Sequence, residues 1–303
     1  MLQRLYEAIA WRVDRLPEHP LADAVVAAWS YRERRGAWPN LVRPRRFNER
    51  LLRMMVTNEG RSPLRARISD KELVKQFIRE RVGDRYNIAT FAVLRSEADV
   101  RGYAFPDDCV IKPTHASGLV EFRQGGVPEI DRDALVRWLR LNYYREYREP
   151  NYRSLQPKII VEELLRENGQ RIPRDYKVFC FHGVPGFVMV NEGRFSTLHK
   201  TLYSPQWELL PFRLDCPQHD LPRPPNLDEM LDVSRRLAAG LSFVRVDLFS
   251  PDDGLRVGEL TNFPDACGVP FDTPDTDEAA GRFFDEPHLA ARRVFGREAA
   301  SGD

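Results

Sequence analysis

The chain has 303 residues, with 46 Lys and Arg against 45 Asp and Glu and a net charge of +1. That length allows one large domain or two small ones with ample core, and the charge balance excludes a global electrostatic drive toward nucleic acid or membrane. The four cysteines, Cys109, Cys180, Cys216 and Cys267, lie far apart with no Cys-x-x-Cys pair, which argues against structural zinc or a disulfide framework and fits a reducing compartment.

No apolar run reaches the length of a membrane helix, and the first residues lack the basic-then-apolar layout of a signal peptide. A cytoplasmic location is expected. Leu2, Leu5, Ile9, Val13 and Leu16 recur at helical spacing up to Pro17, and a second helix is expected over 21–34. A breaker-rich connection follows, and arginines crowd the stretch 32–53. That patch reads first as a solvated helix face; its other reading is a surface for an acidic partner, such as a nucleotide, an anionic glycan or a membrane-associated complex. Phe47-Asn48-Glu49-Arg50 opens another helix. Ser69 and Glu72 have the spacing of a capping box for a helix over 71–81. A strand over 89–94 and a short helix over 97–102 complete a small α/β module.

The strand 109–112 delivers Lys112 at its end, and the small-residue loop Thr114-His115-Ala116-Ser117-Gly118 follows. Backbone amides of such a loop can cradle phosphates, with Gly118 permitting close approach and Lys112 adding a point charge. The stretch is not a Walker A sequence. A helix is expected over 133–146, and the aromatic, arginine-rich 143–157 as a loop over the site or a contact surface. The strand 158–165 is apolar and surfaces at Glu162 and Glu163, as a nucleotide hinge would need: a carboxylate for the adenine amino group and backbone groups for the ring edge. A hairpin is expected over 175–190, with Lys177 opposite the packing face. Arg194, His199 and Lys200 fall in a polar loop, 203–211 reads as a turn and strand, and 216–225 as irregular. Asn226 caps a helix that ends before Gly240.

The most informative stretch is Arg-Val-Asp-Leu-Phe-Ser-Pro-Asp-Asp-Gly-Leu-Arg-Val-Gly-Glu-Leu-Thr-Asn-Phe-Pro, 245–264. It reads as two strands joined by a proline- and Asp-Gly-containing turn. Val244, Val246 and Leu248 share one face, and Arg245 and Asp247 share the other. Asp247 and Glu259 then lie on neighbouring strands with converging carboxylates, and Asn262 offers an amide oxygen nearby. Two carboxylates and an amide oxygen form a hard, all-oxygen cage suited to Mg²⁺, which keeps waters and completes its shell with phosphates. Arg245 can hold a phosphate oxygen as a planar fork.

Taken in order, these pieces resemble the ATP-grasp superfamily and, more narrowly, the TupA-like ATP-grasp family of teichuronopeptide and polysaccharide biosynthesis. The resemblance rests on Phe47-Asn48-Glu49-Arg50, Ser69-Asp70-Lys71, Val110-Ile111-Lys112 with His115 and Ser117-Gly118, Asn142-Tyr143-Tyr144, Pro157-Lys158-Ile159-Ile160, Asp175-Tyr176-Lys177, Phe243 to Asp247 and Gly258-Glu259-Leu260-Thr261. It spans roughly residues 40–270. It implies an α+β (α/β) fold of two subdomains gripping ATP. Residues 1–45 form an N-terminal helical segment in this scheme, 46–105 a small α/β module, 106–290 the ATP-grasp body and 291–303 a frayed tail.

By the same resemblance Lys112 and Lys177 bind the ATP phosphates, with Ser117 and Gly118 in the covering loop. Glu162 meets the adenine amino group, Glu163 and Leu165 complete the hinge, and Asp175 lies where a ribose-binding acid is often found. Arg245 stabilises the transferring phosphoryl group or the tetrahedral intermediate, and Asp247 and Glu259 ligate magnesium. The sequence departs from the common Glu-x-Asn pattern: Thr261 takes the asparagine position and Asn262 follows it, so the third ligand is Thr261 or Asn262. His115 and His199 are candidates for proton transfer.

The implied activity is an ATP- and Mg²⁺-dependent carboxylate–amine ligase that modifies a cell-surface polysaccharide or glycan precursor. The implied partners are ATP and a small-molecule or glycan substrate, with no nucleic acid and peripheral association with a polysaccharide assembly complex. An ATP-dependent kinase acting on a hydroxyl and a non-catalytic nucleotide-binding partner are the two other readings.

Overall fold

The computed structural model describes residues 16–167, 173–193 and 197–288. The helix expected over the first residues, Arg194 and the C-terminal tail lie outside them. Helix α1, Pro20–Arg35, starts where the His19 imidazole accepts the Leu21 N–H at 3.3 Å and stops at Gly36, whose φ of 72° suits a residue without Cβ. Helix α2, Phe47–Val56, buries Phe47, Leu51, Leu52, Met54 and Met55. Helix α3, Pro63–Ser69, is capped by Ser62 with proline at its first position.

The capping box expected of Ser69 and Glu72 does not form. The Ser69 hydroxyl donates to the Arg65 carbonyl at 2.8 Å, as a last-turn serine of α3 can. Asp70 does the capping instead, its carboxylate accepting from the N–H groups of Glu72 and Leu73 at the start of α4, Leu73–Arg81. Strand β1, Thr90–Leu94, and helix α5, Glu97–Gly102, follow.

Strands β2, Cys109–Pro113, and β3, Glu121–Arg123, come next. The single helix expected over 133–146 is two: α6, Arg132–Leu139, and α7, Tyr143–Tyr147. Asn142 divides them by capping α7, its side chain accepting the Arg145 N–H at 3.0 Å, which is where asparagine competes best with a continuing helix. The stretch expected as a loop from 143 thus begins in a helix with Tyr143 and Tyr144 buried. Strand β4, Ile159–Glu162, then joins β1 and β2 in an antiparallel sheet of order β1-β4-β2-β3. Residues on both sides of position 105 therefore share one sheet.

The second sheet has order β7-β6-β5-β8-β9, with every neighbour antiparallel. Its strands are β5, Asp175–Phe181, β6, Val184–Glu192, β7, His199–Tyr203, β8, Phe243–Phe249, and β9, Arg256–Thr261. His199 and Lys200, expected in a polar loop, begin β7 because Glu192 and Asn191 supply backbone partners across the pair. Helix α8, Leu227–Ala238, precedes β8. The Asn226 side chain does not cap it; its amide donates to Ser250 Oγ at 2.9 Å.

Both faces of the five-stranded sheet are buried. Val178, Cys180, Val188, Val244, Val246 and Leu248 pack with α8 and α4. Phe179, Phe181, Phe187 and Phe243 pack with Phe47 of α2 and with Phe283, beside helix α9, Pro274–Gly281. Lys177 shares this second face with Phe179 and Phe181 by strand alternation, so it lies at the polar end of a packed face rather than opposite one. Among the described residues no helix is long and apolar enough to cross a membrane.

Candidate active site

Register places the ionisable residues. Lys177 of β5 pairs with Asp247 of β8, and Asp247 pairs with Glu259 of β9, so three charged residues form one row across three strands. The next row, Phe179–Arg245–Thr261, brings Arg245 and Thr261 alongside. Side chains two apart on one strand point to the same face, so Arg245 and Asp247 converge above the row.

The register of β8 and β9 shifts after Asp247, which pairs with Glu259 while Leu248 pairs with Val257. Gly258 is the extra residue of this bulge, and an added Cβ there would lie 2.6 Å from the Phe249 ring. The glycine before Glu259 thus lets the strand kink against Phe249.

The row is tightly charged. Lys177 Nζ lies 2.5 Å from Asp247 Oδ2 and 2.7 Å from Asp175 Oδ2. Arg245 donates through Nε and Nη2 to the two oxygens of Asp247, each at 2.6 Å. Its Nη2 also reaches Thr261 Oγ1 at 3.1 Å, and Thr261 in turn donates to Glu259 Oε1 at 3.0 Å. Burial raises the Glu259 pKa, but Lys71, Arg245 and Lys177 outweigh it and hold the group at about 2. Glu259 is a carboxylate throughout the physiological range.

Across a cavity of about 550 Å³ stands the smaller sheet. Its wall carries Lys112, Ser117, Gly118 and Phe122. The connector contributes Glu163, Leu164 and Leu165. Asp175, Lys177, Arg245, Asp247 and Glu259 form the opposite wall. The lining mixes charged groups with Val110, Phe122, Leu164, Leu165 and other apolar side chains, a combination that suits a ligand with both a charged and a flat apolar part.

Four of the residues singled out from the sequence stand elsewhere, one of them His199, which opens β7 off the cavity wall. Asn262 turns away from the carboxylates: its Oδ1 accepts from Arg65 at 2.7 Å and its amide donates to the Arg65 carbonyl and to Ser69 Oγ. The buried Arg65 guanidinium consumes the oxygen that the cage was expected to use, and Thr261 takes the place beside Glu259. Glu162 is buried between Lys75 at 2.6 Å and Lys112 at 2.9 Å, and it does not line the cavity. His115 is 3% exposed, also off the cavity wall, and burial holds its pKa below the ordinary value.

Other lining residues were not singled out. Lys71 donates to the Ala116 carbonyl at 2.5 Å and so ties α4's leading edge to the small-residue loop; burial lowers its pKa, against the pull of Glu259. Its signal in the sequence is membership of Ser69-Asp70-Lys71, which helix capping alone also accounts for. Lys200 and Asp265 also line the cavity. Asp265, Ala266 and Cys267 are all left-handed, with φ of 50°, 48° and 61°. Arg34 clasps this turn, donating to the Asp265 carbonyl at 2.8 Å and the Ala266 carbonyl at 2.7 Å. Three consecutive non-glycine residues in that region store strain of the kind found beside working sites; nothing in the local sequence announces it.

Among the described residues no group of three or more His, Cys, Asp and Glu has metal-binding geometry. Asp247 and Glu259 are the hard carboxylate donors that Mg²⁺ takes alongside water and phosphate, with both Asp247 oxygens here engaged by Arg245 and Lys177.

The family model for TupA-like ATP-grasp proteins matches residues 49–285, more than half of the chain, and the protein belongs to that family. No curated protein sequence matches significantly. Among solved structures, the ATP-grasp ligase PsnB with a minimal precursor, Mg and ADP is similar at 17% identity, covering 79% of this chain and 64% of that one, with a TM-score of 0.41. The D-alanine–D-alanine ligase from Bacillus anthracis complexed with ATP is similar at 15% identity, covering 77% of this chain and 67% of that one, with a TM-score of 0.38. In the first PsnB structure matched, the alignment spans 61% of that chain.

Proposed function

We propose that the protein is an ATP- and Mg²⁺-dependent ligase that activates a carboxylate as its acyl phosphate and transfers the acyl group to an amine. The observation that carries this reading is the Lys177–Asp247–Glu259 row with Arg245 above it, facing Lys112 and the Ser117-Gly118 loop across the cavity. Family membership supports it independently.

In this reading the adenine ring lies against the connector, on the backbone of Glu163 and Leu165, and the Asp175 carboxylate reaches the ribose. Lys112 and Lys177 bind the phosphates, and loop amides at Ser117 and Gly118 cover them. Glu162 holds Lys112 and Lys75 in place rather than touching the base. Asp247 and Glu259 would hold Mg²⁺, which would neutralise phosphate charge. Arg245 stabilises the γ-phosphoryl group as it moves to the carboxylate oxygen and ADP leaves. The amine then attacks the acyl carbon, phosphate departs, and one proton is released as the amide forms. No protein nucleophile is required. A cell-surface polysaccharide or glycan precursor is the substrate class we favour, and the site of action is the cytoplasm.

The experiment is ATP-dependent release of ADP and phosphate by purified protein, screened across amino acids and uronic acids as carboxylates and amines. Amide product with stoichiometric phosphate is the expected result, lost in Glu259→Gln. A stable phosphoester in place of phosphate, or no stabilisation of the protein by Mg·ATP, sinks the proposal.

A further inference from the structure

The arginine-rich stretch 32–53 holds eight arginines (32, 34, 35, 43, 45, 46, 50, 53) against two acids, Glu33 and Glu49, within a chain of net charge +1. Several are consumed inside the protein. Arg34 clasps the 265–267 turn, Arg35 bonds the Val269 carbonyl and Asp277, and Arg50 pairs with Asp285. Glu49, 6% exposed, spends its carboxylate on the N–H groups of Asn40, Arg45 and Arg46. That buried acid fixes the loop 37–46 on the first turn of α2 and removes its own charge from the outer surface.

What the loop presents outward is apolar and cationic. Val42 is 81% exposed and Trp38 58%. Trp38 stands edge-on to Trp29 at 5.9 Å, with the Arg32 guanidinium 5.4 Å from its ring centre. Arg45 is 79% exposed in its side chain, with one 3.8 Å contact to Glu278. Arg53 reaches over to the Val42 carbonyl at 3.3 Å. Leu41 packs inward against the phenylalanine core while Val42 points out.

We propose that this loop seats the protein on an anionic lipid surface. The apolar tips enter the headgroup region, where tryptophan is favoured, and Arg43, Arg45 and Arg53 face the phosphates. Nucleic acid would use the charge but not Val42. Attraction near such a surface is worth about a fivefold change in partitioning per arginine and falls off within a Debye length. The inference stands apart from the ligase reading, since none of these residues lines the cavity.

Sedimentation of the full chain with vesicles tests it. Vesicles of phosphatidylcholine with roughly a third phosphatidylglycerol should bind the protein at low salt, and vesicles of phosphatidylcholine alone should not. Arg43→Glu with Arg45→Glu should weaken binding by on the order of 25-fold or more, and Trp38→Ala by a few-fold. Both variants should keep the wild-type Tm and its shift with Mg·ATP, which reads the ligase proposal separately. No binding to anionic vesicles overturns the inference, as does binding unchanged in the double variant. Self-association abolished by Trp38→Ala, without vesicle binding, would make the patch a protein contact instead and also overturn it.

Discussion

Asp247 bears the densest charge in the cavity, since both its oxygens accept from Arg245 and one also meets Lys177. Replacing it therefore does two things. Asp247→Asn should end ATP turnover, and it should also destabilise the fold by about 1–3 kcal/mol, because two buried cations lose a charged acceptor while Lys177 keeps Asp175 and Arg245 keeps Glu259 and Thr261. A Tm unchanged in that variant would show that the ion cluster adds nothing to the fold. Glu259 is the cleaner probe because its side chain is 36% exposed. Glu259→Gln should lose turnover while costing under about 1 kcal/mol, as solvent screens much of its pairing; a kcat within a few-fold of wild type would remove Glu259 from the chemistry. Lys112→Ala should raise the KM for ATP with little change in Tm, because Lys75 remains on Glu162 at 2.6 Å. Near-normal ATP binding with a large loss of Tm would make Lys112 structural.

At the scale of elements, Asn48 explains a motif that carried no chemistry in the sequence. Its side chain accepts the Val269 N–H at 2.8 Å and donates to the Val269 carbonyl and to Asp277, while its own N–H meets Asp277 Oδ1. One asparagine thus ties α2 to α9 and to the segment that closes the cavity beside Asp265. Asn48→Ala should destabilise by about 2–4 kcal/mol, since buried partners on both sides lose their bonds; chemical denaturation reads this, and a loss below about 0.5 kcal/mol would contradict the tie. The Asp247–Glu259 hairpin was legible because period-two alternation and an Asp-Gly turn are local signals. The pairing of β1 with β4 was not, because strand pairing across 65 residues leaves no mark in either strand's own pattern. Asn262 looked like a ligand because proximity in sequence was the only measure available. Its true partner, Arg65, lies 197 positions away.

Glu149 makes the stability of the molecule depend on pH, with Arg34 of α1 and the cavity acids Asp265 and Glu259 acting on it through their charge. It is 5% exposed, and burial pushes its pKa up to about 8, with Arg34 opposing and Asp265 and Glu259 adding to the rise. A carboxyl raised from its ordinary 4.5 keeps its proton in the folded chain while the unfolded chain has lost it. Between about 4.5 and about 8 the folded state therefore binds the extra proton, and the contribution of Glu149 to stability falls as pH rises, by at most about 1.4 kcal/mol per unit. Above about 8 both states are ionised and the slope vanishes. Glu259 titrates near 2, so its opposite contribution, lost as pH falls, lies outside this window. Glu149→Gln cannot titrate. The Tm of the variant relative to wild type should therefore climb steadily from pH 5 to pH 8 and level off beyond. A difference in Tm that stays constant across that range would mean that Glu149 is already ionised in the folded protein, with Arg34 as its effective counter-ion.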